Sequence, residues 1–282
     1  MDIVDLRKHE QLSYDYSCEK TPNQKDYFMH MHTQMEVYLL IAGNVEYHVE
    51  NHIYKPQAGD VMIMRAGELH ASRVTPEPGV SYERYNLRFS PELLKESLNS
   101  RLLHPFLNRF NGVSNHYSAA EIPSDYIRSC FQRMFSQKDD DNGARVLSYL
   151  IPILQEIYDA WVRRENSLEK YHEKPHDSLA AKIISYINQH LSDLAGPQEL
   201  SDVFYLSQSQ IYRAFHEYTG TSVWDYVRTK RLITARERMQ NGEKPTKAAA
   251  ACGFSDYSTF YRAYKRQFGC TPQDDYQHSN RR

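Results

Sequence analysis

The last third of the chain contains one pattern twice. Residues 209–215 (SQIYRAF) align with residues 258–264 (STFYRAY) after a shift of 49 positions, and Gly220 then aligns with Gly269. A repeat at fixed spacing indicates one supersecondary unit used twice. Each copy begins near a Ser and ends at a Gly, the residue types that cap the two ends of a helix. The repeat therefore predicts two similar helices of about a dozen residues.

Each repeated helix has an apolar and a polar side. In the first copy Ile211, Ala214 and Phe215 recur at helical spacing, and polar residues form a second stripe beside them. Such a helix can be an ordinary surface helix, or it can present its donors to base edges in the major groove of DNA. Two matching copies favour the interpretation that the helices bind DNA. The residues predicted to contact it are Gln208, Ser209, Tyr212, Arg213 and His216, and in the second copy Asp256, Tyr257, Ser258, Tyr261, Arg262 and Lys265.

The residues around the second copy predict a helix-turn-helix unit. A run of small residues at 248–251 allows close helix crossing, Gly253 permits a tight turn, and Phe254 fills the corner. Between the copies, residues 223–239 read as a helix that would span on the order of 25 Å, enough to hold the units about one DNA turn apart.

Residues 178–276 resemble the C-terminal domain of AraC/XylS-type transcription regulators. The resemblance rests on three stretches, which are 207–220, 231–235 and 253–272. The chain departs from the family pattern at Ser201, where Ala is usual, at Ala248, where a larger aliphatic is usual, and at Gln277, where Arg is usual. The resemblance implies a regulator that places two recognition helices in successive major grooves, with DNA and RNA polymerase as partners.

The charge distribution agrees with a nucleic-acid partner for the C-terminal part. The chain of 282 residues is long enough for two domains and has a net charge of −2, but residues 1–175 carry −5 and residues 176–282 carry +3. We expect salt-dependent DNA binding. The four cysteines have no metal or disulfide spacing, and we find no secretion signal or membrane span. A cytoplasmic location is predicted.

The first part of the chain reads as short strands, at 37–41, 45–49 and 61–64, separated by turn residues. This spacing is typical of an antiparallel barrel or sandwich. Alternation places His30 and His32 on one face of one strand. Together with Glu36, Gly43, Gly59, Gly67 and His70 they form a pattern that resembles a cupin, with the first cupin motif complete and the second partial.

Three interpretations of this region remain open. The resemblance implies a small-molecule effector in the barrel, often a sugar, held by residues among which we predict His30, His32, Glu36, Tyr38, Tyr47 and His70. Arg65, Arg84 and Tyr85 are further pocket or rim candidates. A divalent metal could instead be bound by the same His30, His32, Glu36 and His70. In the third interpretation these four side chains are structural polar residues. The predicted function requires no cofactor.

The segment between the two parts becomes helical after residue 92. Its apolar residues recur at three-four spacing, and they predict a coiled-coil seam of a homodimer or a helix that packs on its own barrel. These residues are Leu147, Leu150, Leu154, Ile157 and Trp161. The expected organisation is a sensor barrel at 1–92, a helical connector at 93–166, a linker at 167–177 and a tandem helix-turn-helix domain at 178–282.

The predicted fold is thus a multidomain α+β chain, in which a cupin-like antiparallel β-barrel with following helices precedes an all-α domain of two helix-turn-helix units. The function predicted is a sequence-specific transcription regulator controlled by a small molecule, with no catalytic residues. Two alternatives compete with it. One is a metal-cupin sensor or enzyme fused to a DNA-binding domain, and the other is a DNA-alkyl-repair sensor that uses Cys18.

Overall fold

The protein forms two compact units, residues 1–175 and 176–282. The computed structural model describes residues 3–9, 11–22, 29–95, 100–136, 144–167 and 177–280. The predicted linker, 167–177, therefore lies outside the described residues except at its two ends.

The N-terminal unit contains two antiparallel sheets. A six-stranded sheet has the order β1-β2-β8-β3-β6-β9, and a three-stranded sheet has the order β5-β4-β7. The strands are β1 Ile3–His9, β2 Leu12–Glu19, β3 Met35–Ala42, β4 Asn44–Val49, β5 His52–Tyr54, β6 Val61–Met64, β7 His70–Thr75, β8 Tyr82–Phe89 and β9 His116–Tyr117. The prediction of an antiparallel β-fold followed by helices is confirmed.

Side chains alternate between two apolar layers along the larger sheet, as the pleat of a strand requires. On β3, Tyr38 and Leu40 join an inner layer that also contains residues of the three-stranded sheet, such as Val45 and Tyr47. Val37 and Leu39 point the other way, into a larger core shared with the helices. The six-stranded sheet therefore separates a face that looks toward the smaller sheet from a face covered by helices.

The helices of this unit are α1 Glu92–Lys95, a 3-10 turn Ser100–Leu103, α2 His104–Leu107, α3 Ser124–Phe135 and α4 Ala144–Glu165. They bury their apolar sides against the six-stranded sheet, and β9 joins that sheet beside β6. Residues 93–166, predicted as a separate connector, thus belong to the same compact unit as the strands.

The apolar stripe of α4 faces its own core, so its interpretation as a dimer seam needs correction. Leu150, Leu154 and Ile157 are fully buried in the core of the N-terminal unit, and Leu147 and Trp161 pack against it. A side chain already buried inside one chain is not available to a second copy. The three-four spacing reflects packing of α4 on the helix-covered face of the sheet.

The C-terminal unit is all helical. Its helices are α5 Leu179–Gln189, α6 Pro197–Phe204, α7 Gln208–Thr219, α8 Val223–Gln240, α9 Pro245–Ala251, α10 Tyr257–Phe268 and α11 Pro272–Asn280. The two predicted repeat helices are α7 and α10, and both end at a glycine with positive φ, Gly220 and Gly269. A left-handed residue after the last turn is a common helix stop because glycine adopts it without a Cβ penalty.

The helix-turn-helix pairs are α6–α7 and α9–α10, joined by α8. The predicted corner residue Phe254 packs edge-on against Phe260 of α10, with ring centroids 5.1 Å apart. Arg236 on α8 donates to Asp275 on α11 at 2.7 Å, which joins the helices that precede and follow the second pair. Among the described residues, none of the helices has the length and apolar character needed to cross a membrane.

Candidate functional site

The four residues of the predicted cupin set lie close together in the N-terminal unit. Glu36 lies on β3 and His70 begins β7, so the cluster joins the two sheets. His30 is not in a regular strand with His32. It forms an isolated bridge in which its backbone exchanges two hydrogen bonds of 2.9 Å with His70. One ligand-type atom from each of these four residues lies within 4.8 Å of the others.

Hydrogen bonds and charge hold this cluster in a defined arrangement. The Nε2 atom of His32 donates to Glu36 Oε2 at 2.8 Å, and His70 Nε2 lies 3.6 Å from the same oxygen. Burial alone would raise the pKa of Glu36, but the two imidazoles outweigh it and hold that pKa well below its usual range. Burial likewise opposes protonation of His70, yet Glu36 raises the pKa of this imidazole. The cluster therefore favours an ionised carboxylate beside the imidazoles.

The donor set fits a divalent transition metal. Three imidazoles and one carboxylate are ligands that zinc, manganese, iron or nickel accept. The Nε2 atom of His70 is buried, and no described residue is within hydrogen-bond distance of it, an arrangement that a metal bond would satisfy. Atoms bound at about 2.1 Å on opposite sides of an ion are about 4.2 Å apart, close to the observed span of the cluster. His30, His32, Glu36 and His70 could thus hold one ion after small side-chain shifts.

Two tyrosines predicted for the pocket form an aromatic wall beside the cluster. The rings of Tyr38 and Tyr47 meet edge to face at 4.9 Å, and Tyr47 lies nearly parallel to the ring of His70. The hydroxyl of Tyr38 is 3.2 Å from that of Tyr82. Tyr85, considered as a rim residue, is on the opposite face, where it stacks on Phe131 of α3 at 5.0 Å. It therefore belongs to the helix-side core.

Sequence reasoning missed three polar residues on the inner face of the larger sheet. Asp15 on β2 is directly opposite Asn86 on β8, which in turn is opposite Tyr38. Arg88 is opposite Glu36 in the same way. Residues paired across neighbouring strands share a face, so Asp15, Asn86 and Arg88 face the side of the sheet that carries Tyr38 and Glu36.

These three residues form a polar surface that continues the histidine cluster. Arg88 donates to Asp15 at 3.3 Å, and its Nε is 3.7 Å from Glu36 Oε2. Asn86 donates to Asp15 at 3.3 Å, whereas its own carbonyl oxygen is buried and accepts no hydrogen bond from the part of the chain that the structure describes. Burial raises the pKa of Asp15 in spite of the neighbouring guanidinium. We call Asp15, Glu36, Asn86, Arg88 and the histidine cluster the inner polar surface.

The first predicted DNA-contact helix, α7, presents part of its predicted set to solvent. Ser207 caps its start and forms a reciprocal capping box with Gln210. Gln208, Ser209, Arg213 and His216 are exposed, and Ile211 and Phe215 are buried on the opposite side. Tyr212 is half-buried, and its hydroxyl accepts a 3.0 Å hydrogen bond from the indole of Trp224 on α8. That bond orients Tyr212 toward α8.

The second predicted DNA-contact helix, α10, is more basic. Tyr257, Ser258, Tyr261, Arg262 and Lys265 are all exposed, as is the neighbouring Arg266. Asp256 is also exposed, but its carboxylate accepts hydrogen bonds from the backbone of Ser258 and Thr259, which makes it the N-cap of the helix. The structure thus gives Asp256 a capping role, and its predicted DNA contact stays a prediction.

Comparisons with known proteins find a family match in each of the two units. Residues 18–150 match the family described as the AraC-like ligand binding domain, and residues 200–277 match the family described as the helix-turn-helix domain. LumQ, a probable transcriptional regulator of Photobacterium leiognathi, is 30% identical over 208 residues, which cover 71% of this chain and 80% of LumQ. The transcriptional activator RhaS of Escherichia fergusonii is 22% identical over 247 residues, with coverage of 87% and 86%.

A solved structure of ToxT from Vibrio cholerae aligns over 97% of this chain and 100% of that chain, at 9% identity and a TM-score of 0.37. LumQ and RhaS are both described as transcriptional regulators. Cys18, considered for alkyl repair, lies half-buried on β2, and among the described residues it belongs to no cluster of metal-ligand side chains.

Proposed function

Because this chain belongs to the AraC family of transcriptional regulators, we propose that it controls transcription in response to a neutral, polyhydroxylated molecule such as a sugar. The inner polar surface of the N-terminal unit would bind this effector. The single observation that carries the proposal is the face shared by Asp15, Asn86, Arg88 and Glu36 beside two buried tyrosines.

The chemistry of the inner polar surface favours a ligand that both donates and accepts hydrogen bonds. The carboxylates of Asp15 and Glu36 and the buried carbonyl of Asn86 accept bonds, and Arg88 donates them. Sugar hydroxyls satisfy both kinds of partner, and the faces of Tyr38 and Tyr47 suit the apolar side of a sugar ring. A phosphate or carboxylate ligand would meet two carboxylates at close range, which costs several kcal/mol in a partly buried site.

In this proposal the effector acts by shifting populations. A ligand that binds one arrangement of the sensor and DNA-binding units more tightly increases the share of that arrangement. The change would alter which DNA sites are occupied, or how the bound regulator meets RNA polymerase. Pairing of two copies on DNA is part of the proposal, but α4 cannot supply the predicted seam, since its apolar side is buried within one chain.

The exposed polar sides of α7 and α10 would carry the DNA contacts. The proposed base and phosphate contacts are Gln208, Ser209, Arg213, His216, Tyr257, Ser258, Tyr261, Arg262 and Lys265. Arginine can form a bidentate pair with guanine, and the hydroxyl and lysine side chains can reach phosphates. The greater basicity of α10 supports a larger share of phosphate contacts for the second helix-turn-helix pair.

A second candidate is a regulator that senses a divalent metal. The supporting observation is the convergence of His30, His32, Glu36 and His70, together with the buried Nε2 of His70, which has no hydrogen bond to any described residue. A bound ion would supply a Lewis-acidic centre on which a ligand oxygen could be held. The protein side chains would fix its position and keep it at the junction of the two sheets.

A binding screen on the full chain, purified without a metal-chelating column, separates these candidates. The panel contains neutral sugars and sugar alcohols, sugar phosphates, Zn²⁺, Mn²⁺ and Ni²⁺, and the readout is the rise in melting temperature followed by calorimetry. We expect a neutral sugar to bind. The Asp15→Asn substitution should weaken the affinity for this sugar on the order of tenfold, about 1.4 kcal/mol. Arg73→Gln is the matched control, since this exposed residue is on the other face of β7.

The outcomes are distinct. The proposed pocket would be contradicted if Asp15→Asn left the affinity for the sugar unchanged. It would also be contradicted if a sugar phosphate bound more tightly than a neutral sugar. If only a metal raises the melting temperature, and if His30→Gln abolishes that rise, the second candidate is favoured. His30 suits this purpose because it is exposed and its replacement leaves the core unchanged.

A further inference from the structure

Arg231 on α8 connects the two helix-turn-helix pairs through three backbone carbonyl groups. Its Nε donates to the carbonyl of Leu191 at 2.7 Å, and one terminal nitrogen donates to Leu194 at 2.9 Å. Both carbonyls lie in the turn between α5 and α6, next to the first pair. The other terminal nitrogen donates to the carbonyl of Gly253 at 3.0 Å, in the turn between α9 and α10.

The two turns also touch directly at Gly253. This residue has a φ of +80°, and a Cβ built on it would lie 2.3 Å from the carbonyl oxygen of Ser192 and 2.8 Å from Cζ of Arg231. Real Cβ atoms do not approach backbone that closely, so any side chain here would force the turns apart. Glycine is required at this position both for its left-handed conformation and for the contact.

The guanidinium group suits this position better than an ammonium group would. Arg231 is half-buried, and its guanidinium donates to three backbone carbonyl groups. Its fixed planar fork directs separate N–H groups at carbonyls that belong to two different turns. Lysine would offer one point charge on a flexible chain and would not fix both turns at once.

Each turn is coupled to one of the helices proposed to contact DNA. The first recognition helix, α7, packs on α5 and α6, which flank the 191–194 turn. The second, α10, packs on α9 and holds Phe254, the neighbour of Gly253, against its own Phe260. Any shift of one turn against the other would therefore move α7 relative to α10.

We propose that Arg231 is a positioning residue that fixes the separation of the two recognition helices and so makes the regulator selective for the spacing between its two DNA half-sites. Recognition helices of one protein read half-sites whose separation matches their own geometry. The inference rests on the DNA-binding function proposed above. Arg231 itself touches no DNA in this proposal; it acts through the 191–194 and 253 turns.

The test begins with the selection of a preferred site from random duplexes by the full chain. Binding is then compared on that site, on versions with one base pair inserted or removed between the half-sites, and on a single half-site. The variants are Arg231→Lys, Arg231→Met and Gly253→Ala, with Arg228→Met as the control. Arg228 lies on the same helix, and it forms an ion pair with Asp225, one turn away on α8.

We expect the unaltered chain to lose about tenfold or more in affinity when the spacing changes by one base pair, a loss comparable to one mismatched base pair. The three variants should lose less than about threefold on the altered spacing, bind the selected site more weakly and bind the single half-site as before. Arg228→Met should behave as the unaltered chain.

Spacing selectivity that survives in Arg231→Lys and Gly253→Ala would overturn the proposal. Loss of half-site binding in the variants would also overturn it, because the recognition helices themselves would then be damaged. Circular dichroism and melting temperature of each variant identify a folding defect, and Arg231→Lys is the mildest change. If the unaltered chain selects no site at all, the proposed DNA-binding function fails, and this result is distinct from a failure of spacing selectivity.

Discussion

The two compact units use charged side chains in opposite ways. In the N-terminal unit Glu68 is fully buried and Arg109 is 4% exposed, and the guanidinium donates to the carboxylate at 2.7 Å. In the C-terminal unit the Arg238–Glu243 pair is at the surface, with Arg238 45% exposed. The cations of α7 and α10 that we propose as DNA contacts are likewise exposed. The ion pair of the N-terminal unit is thus part of its core, whereas the Arg238–Glu243 pair of the C-terminal unit is in contact with water.

Removal of a buried ion should have the largest effect and would sharpen this contrast. Glu68 also accepts hydrogen bonds from the backbone of Arg65 and Gly112, both at 2.8 Å, so its carboxylate stays in place when Arg109 is lost. We expect Arg109→Met to reduce the free energy of unfolding of the N-terminal unit by about 3–5 kcal/mol, since the carboxylate is left buried without its cation. Urea denaturation of the full chain measures this loss.

The matched control is Arg238→Met, which breaks the exposed pair of the other unit. Because exposed pairs contribute at most about 1 kcal/mol, this change should leave stability nearly unaltered. Similar losses for both variants would show that burial of the ion pair does not distinguish the two units.

The exposed cations of the C-terminal unit should matter for binding and not for folding. Arg262→Ala is expected to cost about 1–3 kcal/mol at the selected DNA site if the guanidinium reads a base, and much less on random DNA. Equal weakening on both DNAs would instead assign Arg262 to phosphate contacts. Gln267→Ala, an exposed neighbour on the same helix, is the control, and fluorescence anisotropy at several salt concentrations gives the affinities.

The C-terminal unit was more accessible to sequence reasoning than the N-terminal one, for a physical reason. Caps, glycine stops and apolar stripes are local signals, so α7, α8 and α10 could be predicted within a few residues. The stripe of α4 was ambiguous because a dimer seam and a helix packed on its own sheet share one spacing. Asp15 and Asn86 pair across 71 positions of sequence, and only the strand register brings them together. The alternation of Arg84, Asn86 and Arg88 along one strand was the available clue to the missed face.

The N-terminal unit should lose stability in acid through Glu121. Burial would raise the pKa of Glu121, but Arg164 and the backbone and hydroxyl of Ser118 outweigh it and lower the pKa from 4.5 to about 2. A carboxylate whose pKa is lower in the folded state stabilises that state above its unfolded pKa and loses this contribution as the pH falls through the folded pKa. Glu121 should therefore contribute about 1–2 kcal/mol near neutral pH, after allowance for its partial exposure, and lose it between about pH 5 and pH 2.

Glu121→Gln tests this expectation. The variant should be less stable than the unaltered chain at pH 7 and lose less stability on acidification, so the two stability curves should converge toward pH 2. Denaturation of both proteins at a series of pH values provides the comparison. A constant difference across the series would show that Glu121 acts through its shape and not through its charge.

The smallest expected effect concerns the left-handed residue that each helix-turn-helix pair has in its turn. Tyr205 closes α6 with a φ of 54° and is 92% exposed, whereas Gly253 adopts a similar conformation in the second pair. A non-glycine residue in the left-handed region is strained, and glycine relieves the strain but gains freedom in the unfolded chain. We therefore expect Tyr205→Gly to raise the free energy of unfolding by about 1 kcal/mol or less, and Tyr205→Phe, which keeps the Cβ, to leave it unchanged. Urea denaturation decides the matter, because a loss of stability in Tyr205→Gly would mean that the tyrosine ring stabilises the first turn in spite of its exposure.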